Sequence, residues 1–265
     1  MQQGTAREVK AVFFDLYGTL LILGDMKRAW SDWMEVLYAS LCPQESAVTR
    51  KSFADCCHQF FGKEEPKAEI GDGLTVFERR INRLVASLGS QLELRQLKET
   101  ATRAVETWQT HVQLDPDAPT VLSNLATSNK LALISNFDHP PHAHRVLRET
   151  GLAGCFETIV ISGEVGIKKP DPGIFRIALE RTGLHPEEVV YVGDTQEDVD
   201  GANAAGIKPI LIARPEDPQR PRILDYTRDN ERVSNTIILS NSVTTIGSLG
   251  EIIDLVRTPG QTNVR

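Results

Sequence analysis

The sequence predicts an α/β fold: a parallel sheet with helices on both faces, interrupted early by an all-helical insert. Three observations carry this. Short apolar runs rich in Val, Ile and Phe alternate with helix-length amphipathic stretches, the pattern that builds parallel sheets. A long stretch, from about Asp25 to Val112, has helical periodicity and almost no strand signal. The chain has 265 residues, 40% hydrophobic and 25% charged, which suits one large or two modest cores that need no metal or disulfide staple.

The elements follow in order. Val9 to Phe14, Leu131 to Ile134, Thr158 to Ile161, Val189 to Val192 and Pro209 to Ile212 are too short for helices and read as buried strands. Ala143 to Thr150, Pro172 to Thr182 and Asp198 to Ala205 read as helices between them. Thr236 to Leu239 is expected as an edge strand and Ser248 to Val256 as a closing helix. In the insert, Met26, Trp30, Trp33, Leu37 and Leu41 recur at spacings of 4, 3, 4 and 4, which puts them on one helix face. Similar periodicity at Phe53 to Phe61, Val76 to Leu88 and Leu92 to Val112 brings the insert to about four helices. An aromatic stripe of this kind reads as core packing. Arg214 to Asn235, rich in Pro and charge, reads as a surface loop, and Thr258 to Arg265 as a loose tail.

Composition excludes several functions. With 29 Lys+Arg against 36 Asp+Glu the net charge is -7, and no basic block offers a footprint for nucleic acid. No apolar run reaches the roughly 20 residues of a membrane helix, and no signal core follows the polar start, so a cytoplasmic location is expected. Cys42, Cys56, Cys57 and Cys155 form no C-x-x-C pair and read as reduced, mostly buried thiols.

The chemistry collects where the strands end, since open parallel sheets bind ligands beyond the carboxyl ends of their strands. Asp15, Tyr17 and Thr19 follow the first strand, and Ser135 and Asn136 the second. Lys169 lies a few residues beyond the third. Asp194 follows the fourth, with Asp198 four residues on. Taken singly, each has an ordinary explanation as a helix cap or a solvated charge. Together they place a nucleophile-capable carboxylate, a hydroxyl, an ammonium and an acidic pair on one rim. Asp15 and Asp194 side by side repel, so a proton or a cation must sit between them. Hard oxygen ligands suit Mg²⁺. With Lys169 and the Ser135 hydroxyl, such a rim suits a dianionic phosphate, which Asp15 is placed to attack. The His139, His142 and His144 run could ligate a metal, but reads better as a proline-opened helix start.

The segments FFDLYGTL, LISNFD, GIKKPDPGIF and YVGDTQEDVDGANAAG resemble the four motifs of the haloacid dehalogenase-like (HAD) hydrolase superfamily, most closely its phosphatase-like members. The resemblance spans roughly residues 9–213. It implies a Rossmann-like core domain of residues 1–22 and 114–265, with a helical cap domain of residues 23–113 inserted after the first motif. It further implies Asp15 as nucleophile, and Thr19, Ser135 and Asn136 as binders of the transferring group. Lys169 neutralises that group. Mg²⁺ is held by Asp15, the Tyr17 carbonyl and Asp194, and Asp198 orients Lys169 or a metal-bound water. The substrate implied is a small phosphorylated metabolite.

Tyr17 departs from the pattern. Phosphatases of this family usually carry an acid/base Asp there. A tyrosine, with an ordinary pKa near 10, can donate a proton but is a poor base at neutral pH. The same tyrosine resembles the 2-haloacid dehalogenases, in which Asp attacks carbon and halide leaves unprotonated. Asp194 and Asp198 weigh against that alternative, because they would repel a carboxylate substrate. Phosphonate hydrolysis would need a cap lysine such as Lys51, Lys63 or Lys67, none of which sits in a motif. A weakly catalytic phosphate-binding or regulatory protein is the remaining reading.

Overall fold

The computed structural model describes residues 8–42, 47–58, 60–61, 65–66, 72–215 and 243–256. The expected strand at Thr236 to Leu239, the tail from Thr258, most of the Arg214 to Asn235 loop, and Lys63 and Lys67 lie outside them.

Strand β1 (Ala11–Phe14) is followed by the short β2 (Leu21–Leu23). Helices α1 (Met26–Leu41), α2 (Arg50–Cys57), α3 (Val76–Ser87) and α4 (Leu94–Gln109) come next, as the helical periodicity predicts. The chain returns through β3 (Val112–Leu114) to α5 (Ala118–Leu125), β4 (Lys130–Ser135) and α6 (Pro140–Glu149). It continues through β5 (Thr158–Ile161), the one-turn α7 (Ser162–Val165), α8 (Pro172–Thr182), β6 (Val189–Gly193) and α9 (Gln196–Ala204). Strands β7 (Lys208–Ile212) and β8 (Thr244–Ile246) and helix α10 (Glu251–Val256) complete the described chain.

Six strands form one sheet in the order β5-β4-β1-β6-β7-β8, every neighbour pair parallel. The period-2 alternation of a strand explains why these runs are apolar throughout. Val12 and Phe14 face one core with Leu131, Leu133, Val190 and Val192, beneath α5, α6 and α10. Ala11 and Phe13 face the other with Ala132, Ile134 and Val189, beneath α8 and α9. Both faces of β1 and β6 are therefore buried along their length, and β4 is exposed only at Lys130, whereas the outer strand β8 exposes Thr245. After β1 the chain builds outward to β4 and β5, then crosses back to β6, β7 and β8. The reversal leaves a crevice beyond the carboxyl end of β1.

Helices α1–α4 bury a third cluster, with Trp33, Leu37, Phe53, Phe77, Ile81, Leu84 and Leu97 inside it. Their starts are set by local capping. Asp25 accepts from Arg28 N at 3.0 Å, and Thr75 with Glu78 forms a reciprocal capping box on α3.

Among the described residues the sheet ends at β8. At either end of the helical stretch the chain forms a short strand that the sequence reading did not mark. Residues Leu21–Leu23 pair antiparallel with Val112–Leu114, three residues on each side. Runs this short fall below the length at which strand periodicity can be told from chance.

Candidate active site

The crevice gathers Asp15 from the end of β1, Lys169 from the loop before α8, and Asp194 and Asp198 from the end of β6 and the first turn of α9. Asp15 continues the ladder, its N–H donating to Val192 O at 2.9 Å, so the sheet itself aims its side chain. Lys169, 4% exposed, spends all three ammonium protons in the site. It donates to Asp15 Oδ1 at 2.7 Å, to Asp198 Oδ1 at 2.6 Å and to Tyr191 Oη at 3.0 Å. The turn after β1 must pass against Asp194. Gly18 has φ +90°, and a Cβ there would lie 2.1 Å from Asp194 Oδ2, so only glycine fits. Gly193 is required for the same reason, since its Cβ would lie 2.4 Å from the Asp198 carboxyl carbon.

Asp198 is fully committed. Its Oδ1 accepts from Lys169 and, at 2.8 Å, from the Tyr191 hydroxyl. Its Oδ2 accepts from Asp194 N at 3.1 Å, Thr195 N at 3.0 Å and the Thr195 hydroxyl at 2.6 Å. Asp198 thus closes the capping box of α9 while holding Lys169. Asp194 is the opposite case: its Oδ1 is buried and has no partner. The Thr19 hydroxyl, on a residue with no exposed surface, is likewise buried and unpaired. Two orphaned oxygens at one rim mark a place prepared for something other than protein. Ligand atoms of Asp15, Asp194 and Asp198 lie within 4.8 Å of one another.

The electrostatics agree. Burial, helped by the Asp198 charge and opposed by Lys169, raises Asp15 to a pKa of about 6. Burial and the charges of Asp15 and Asp198 hold Asp194 well above the carboxylate range. Burial also acts on Asp198, but Lys169 and the hydrogen bonds from Thr195 and Tyr191 outweigh it and keep that group low. Burial opposes the Lys169 charge, yet its two carboxylate partners hold the ammonium above its ordinary range. Three carboxylates share one ammonium, so a further cation would be favoured beside Asp15 and Asp194.

Ser135 is buried as the last residue of β4. Asn136, expected to bind substrate, is committed elsewhere. Its amide accepts from Lys169 N at 2.9 Å and donates to Lys169 O at 3.0 Å and Glu197 Oε2 at 3.3 Å. Its carboxamide therefore clamps the lysine backbone from both sides. The Tyr17 side chain also has protein partners. Its ring lies between Phe137 at 4.7 Å and Trp108 at 5.2 Å, and its hydroxyl donates to Gln109 Oε1 at 3.3 Å. Burial and the nearby Asp15 charge push its pKa above the usual tyrosine value.

The three histidines take ordinary roles. Arg145 donates to His142 Nδ1 at 2.9 Å, so His142 is neutral and its Nε2–H donates to Gln109 Oε1 at 3.0 Å. Burial and the Arg145 charge pull its pKa down to about 4. His139 pairs with the Thr75 hydroxyl and His144 with Glu164. Among the described residues no metal-holding cluster includes them. None of the four cysteines is in a disulfide, Cys42 and Cys57 are buried, and Lys51 is exposed on α2. No described helix is long and apolar enough to cross a membrane.

Tyr191 and Arg214 were not singled out from the sequence. Tyr191 could have been, because its hydroxyl is a lone polar atom in the apolar run Val189–Gly193 and must find a buried partner. Arg214 gives no comparable signal, since it opens a polar segment.

Comparison with known proteins agrees with this arrangement. A phosphoserine phosphatase of Thermus thermophilus is 47% identical over 93 residues, 34% of this chain and 37% of its own length. A glyceraldehyde 3-phosphate phosphatase of Methanopyrus kandleri is 31% identical over 138 residues, 51% of this chain and 59% of its own. The chain thus spans less than two thirds of either relative. The crystal structure of a 2-haloacid dehalogenase from Pseudomonas syringae superposes with a TM-score of 0.60 at 21% identity, covering 94% of this chain and 98% of that one, a likeness of fold alone. The family model of haloacid dehalogenase-like hydrolases matches residues 9–206, which take in the whole rim from Asp15 to Asp198 and about three quarters of the sequence. On that match, the chain belongs to the haloacid dehalogenase-like hydrolases.

Proposed function

We propose that this hydrolase is a Mg²⁺-dependent phosphatase that cleaves a small phosphate monoester through an aspartyl phosphate on Asp15. The observation that carries the reading is the pairing of Asp15 with two orphaned buried oxygens, Asp194 Oδ1 and Thr19 Oγ1. The phosphatase names of the two relatives above support it. Residues 23–113 act as the cap and the sheet with its helices as the core.

The donor set fits a hard divalent ion. Asp194 Oδ1 has no protein partner; burial and the Asp198 charge raise Asp15, and burial with the charges of Asp15 and Asp198 raises Asp194, a strain that a cation relieves. Asp15, Asp194 and the Tyr17 carbonyl would hold it. When bound, Mg²⁺ supplies positive charge that keeps both carboxylates ionised and draws electron density from a phosphoryl oxygen. The chain does the rest. Lys169 faces Asp15 and neutralises the phosphoryl group, while Asp198, Tyr191 and Asn136 hold the lysine in place. Thr19 and Ser135 donate to phosphoryl oxygens. The Asp15 carboxylate attacks phosphorus, the bond to the ester oxygen breaks, and the leaving oxygen takes its proton from solvent. Water then hydrolyses the aspartyl phosphate, which returns Asp15 and releases inorganic phosphate.

Tyr17 favours a second reading, halide displacement from a 2-haloacid, which needs no acid at that place. Asp194 counts against it, since its buried, unpartnered oxygen beside Asp15 calls for a cation, which halide displacement does not need. The deciding experiment is a panel of phosphate esters and 2-chloropropionate, each with and without Mg²⁺, with Asp15→Asn alongside. Phosphate release that requires Mg²⁺ and vanishes in Asp15→Asn is the expected result. Halide release insensitive to EDTA overturns the reading, and substrate binding without turnover assigns the chain to a regulatory role.

A further inference from the structure

Arg214 stands two residues beyond the end of β7, and its side chain turns back across the rim. Its Nη1 donates to Gly18 O at 2.6 Å, and its Nη2 to Thr19 O at 2.6 Å and to Asp115 Oδ2 at 2.5 Å. Both charged groups are largely buried, with side-chain exposures of 16% and 6%. Asp115 follows β3 directly and is itself fixed. Its N–H donates to Leu20 O at 3.0 Å, and its Oδ1 accepts from Asp117 N at 2.9 Å. A single guanidinium therefore joins three stretches of chain: the turn after Asp15, the return from the helical insert, and the exit from the sheet.

The turn it grips is the one that must be exact in shape. Gly18 runs against the Asp194 carboxyl, and Thr19 carries a buried hydroxyl that no protein group satisfies. The backbone carbonyl of that same Thr19 is held by Arg214. We propose that Arg214, fixed by Asp115, is a positioning residue that sets the backbone of Gly18 and Thr19 and so aims the Thr19 hydroxyl into the site. It does not touch Asp15 and is not a catalytic residue. The planar fork of arginine is suited to two carbonyls and a carboxylate at once, whereas the point charge of a lysine cannot span them.

The inference rests on the phosphatase reading only for what Thr19 binds, and the test separates the two. Hydrogen exchange of the full chain is compared for wild type, Arg214→Lys, Arg214→Gln and the milder Asp115→Asn. Calorimetric binding of inorganic phosphate with Mg²⁺ and steady-state kinetics on p-nitrophenyl phosphate follow. Exchange is expected to quicken in residues 16–23 and 113–117, with β4 and β5 unchanged. Phosphate Kd and KM are expected to rise together by about 5- to 10-fold, the scale of one misaimed hydrogen bond, while kcat changes less. In a Thr19→Val background, Arg214→Lys should add nothing further to the phosphate Kd, because both changes act on one hydroxyl. Unchanged exchange in residues 16–23 overturns the clamp. Quickened exchange with unchanged Kd and KM, or full additivity with Thr19→Val, overturns its role in aiming the hydroxyl. A wild type that binds no phosphate overturns the function proposed above, and the exchange experiment still decides the clamp.

Discussion

Replacing Tyr17 with phenylalanine removes one hydroxyl and keeps the ring between Phe137 and Trp108. The lost hydrogen bond, to Gln109 Oε1, is long at 3.3 Å, and that oxygen keeps His142 Nε2 as a donor at 3.0 Å. The cost is therefore about 0.5–1 kcal/mol, or a fall in Tm of roughly 1–4 °C. A general acid contributes about 10² to 10⁴ in rate. The hydroxyl is already donated to Gln109, and burial and Asp15 raise its pKa further above neutral pH, so its removal should change kcat/KM by less than about fivefold, the equivalent of ~1 kcal/mol. The assay pairs an alkyl phosphate with p-nitrophenyl phosphate, since only the alkyl leaving group needs protonation. A drop of about 10² or more confined to the alkyl ester would restore Tyr17 as the acid and refute the reasoning. Tyr17→Asp gives the reciprocal test. It forfeits two ring pairs, about 1–3 kcal/mol together, and places a carboxyl beside Asp15. The alkyl-to-aryl ratio of kcat/KM should rise; an unchanged ratio in a folded, Mg²⁺-binding variant would show that the position no longer serves proton transfer in this chain.

Lys169→Met leaves two carboxylates without their ammonium, which costs about 3–5 kcal/mol for a broken buried pair. Asp15, whose folded pKa of about 6 exceeds its unfolded value, stabilises the fold at low pH and loses that contribution as pH rises through 6. The Tm loss of this variant in EDTA should accordingly be greater at pH 8 than at pH 5, and equal losses would contradict the scheme. Tyr191→Phe removes a partner of both Lys169 and Asp198, at about 1–3 kcal/mol; kcat should fall while KM holds, and kinetics identical to wild type would reduce Tyr191 to filler. His142, pulled down to about 4, favours folding above pH 6.5 and loses that contribution as pH falls toward 4. His142→Asn should flatten the acid side of a urea-midpoint profile by up to about 3 kcal/mol, and an unaltered slope would disprove the assignment.

The sheet was legible because its central strands are buried on both faces, so those runs are largely apolar and bounded by turn residues. Thr158–Ile161 and Pro172–Thr182 match the sequence expectation residue for residue. The rim was legible for a related reason: its carboxylates and its lysine sit where strands end, which the chain announces locally. What stayed hidden depends on distance in sequence. Asn136 reads as a ligand-binding amide until the fold brings Lys169, 33 residues away, against both of its polar ends. Tyr17 reads as a possible proton donor until Gln109, 92 residues on, accepts its hydrogen bond. The three-residue strands Leu21–Leu23 and Val112–Leu114 carry no periodicity of their own, and only their pairing makes them strands.

That pairing has a consequence for how the molecule divides its labour. Leu23 lies opposite Val112, and the next step is a bond from Gly24 N to His111 O at 2.9 Å. A side chain at Gly24 would meet that carbonyl at 2.7 Å, so the two crossings are pressed together. Helices α1–α4 therefore leave and re-enter through a single two-stranded ribbon, with departure and arrival side by side. A segment joined in this way behaves as a cassette. It can be lengthened, shortened or exchanged, and the ends it presents to the sheet stay in register. Asp15, Lys169, Asp194 and Asp198 all lie on the sheet's side of the ribbon. On the function proposed above, a change within the helices leaves the residues that break the bond where the sheet sets them, so substrate choice is free to vary apart from the chemistry.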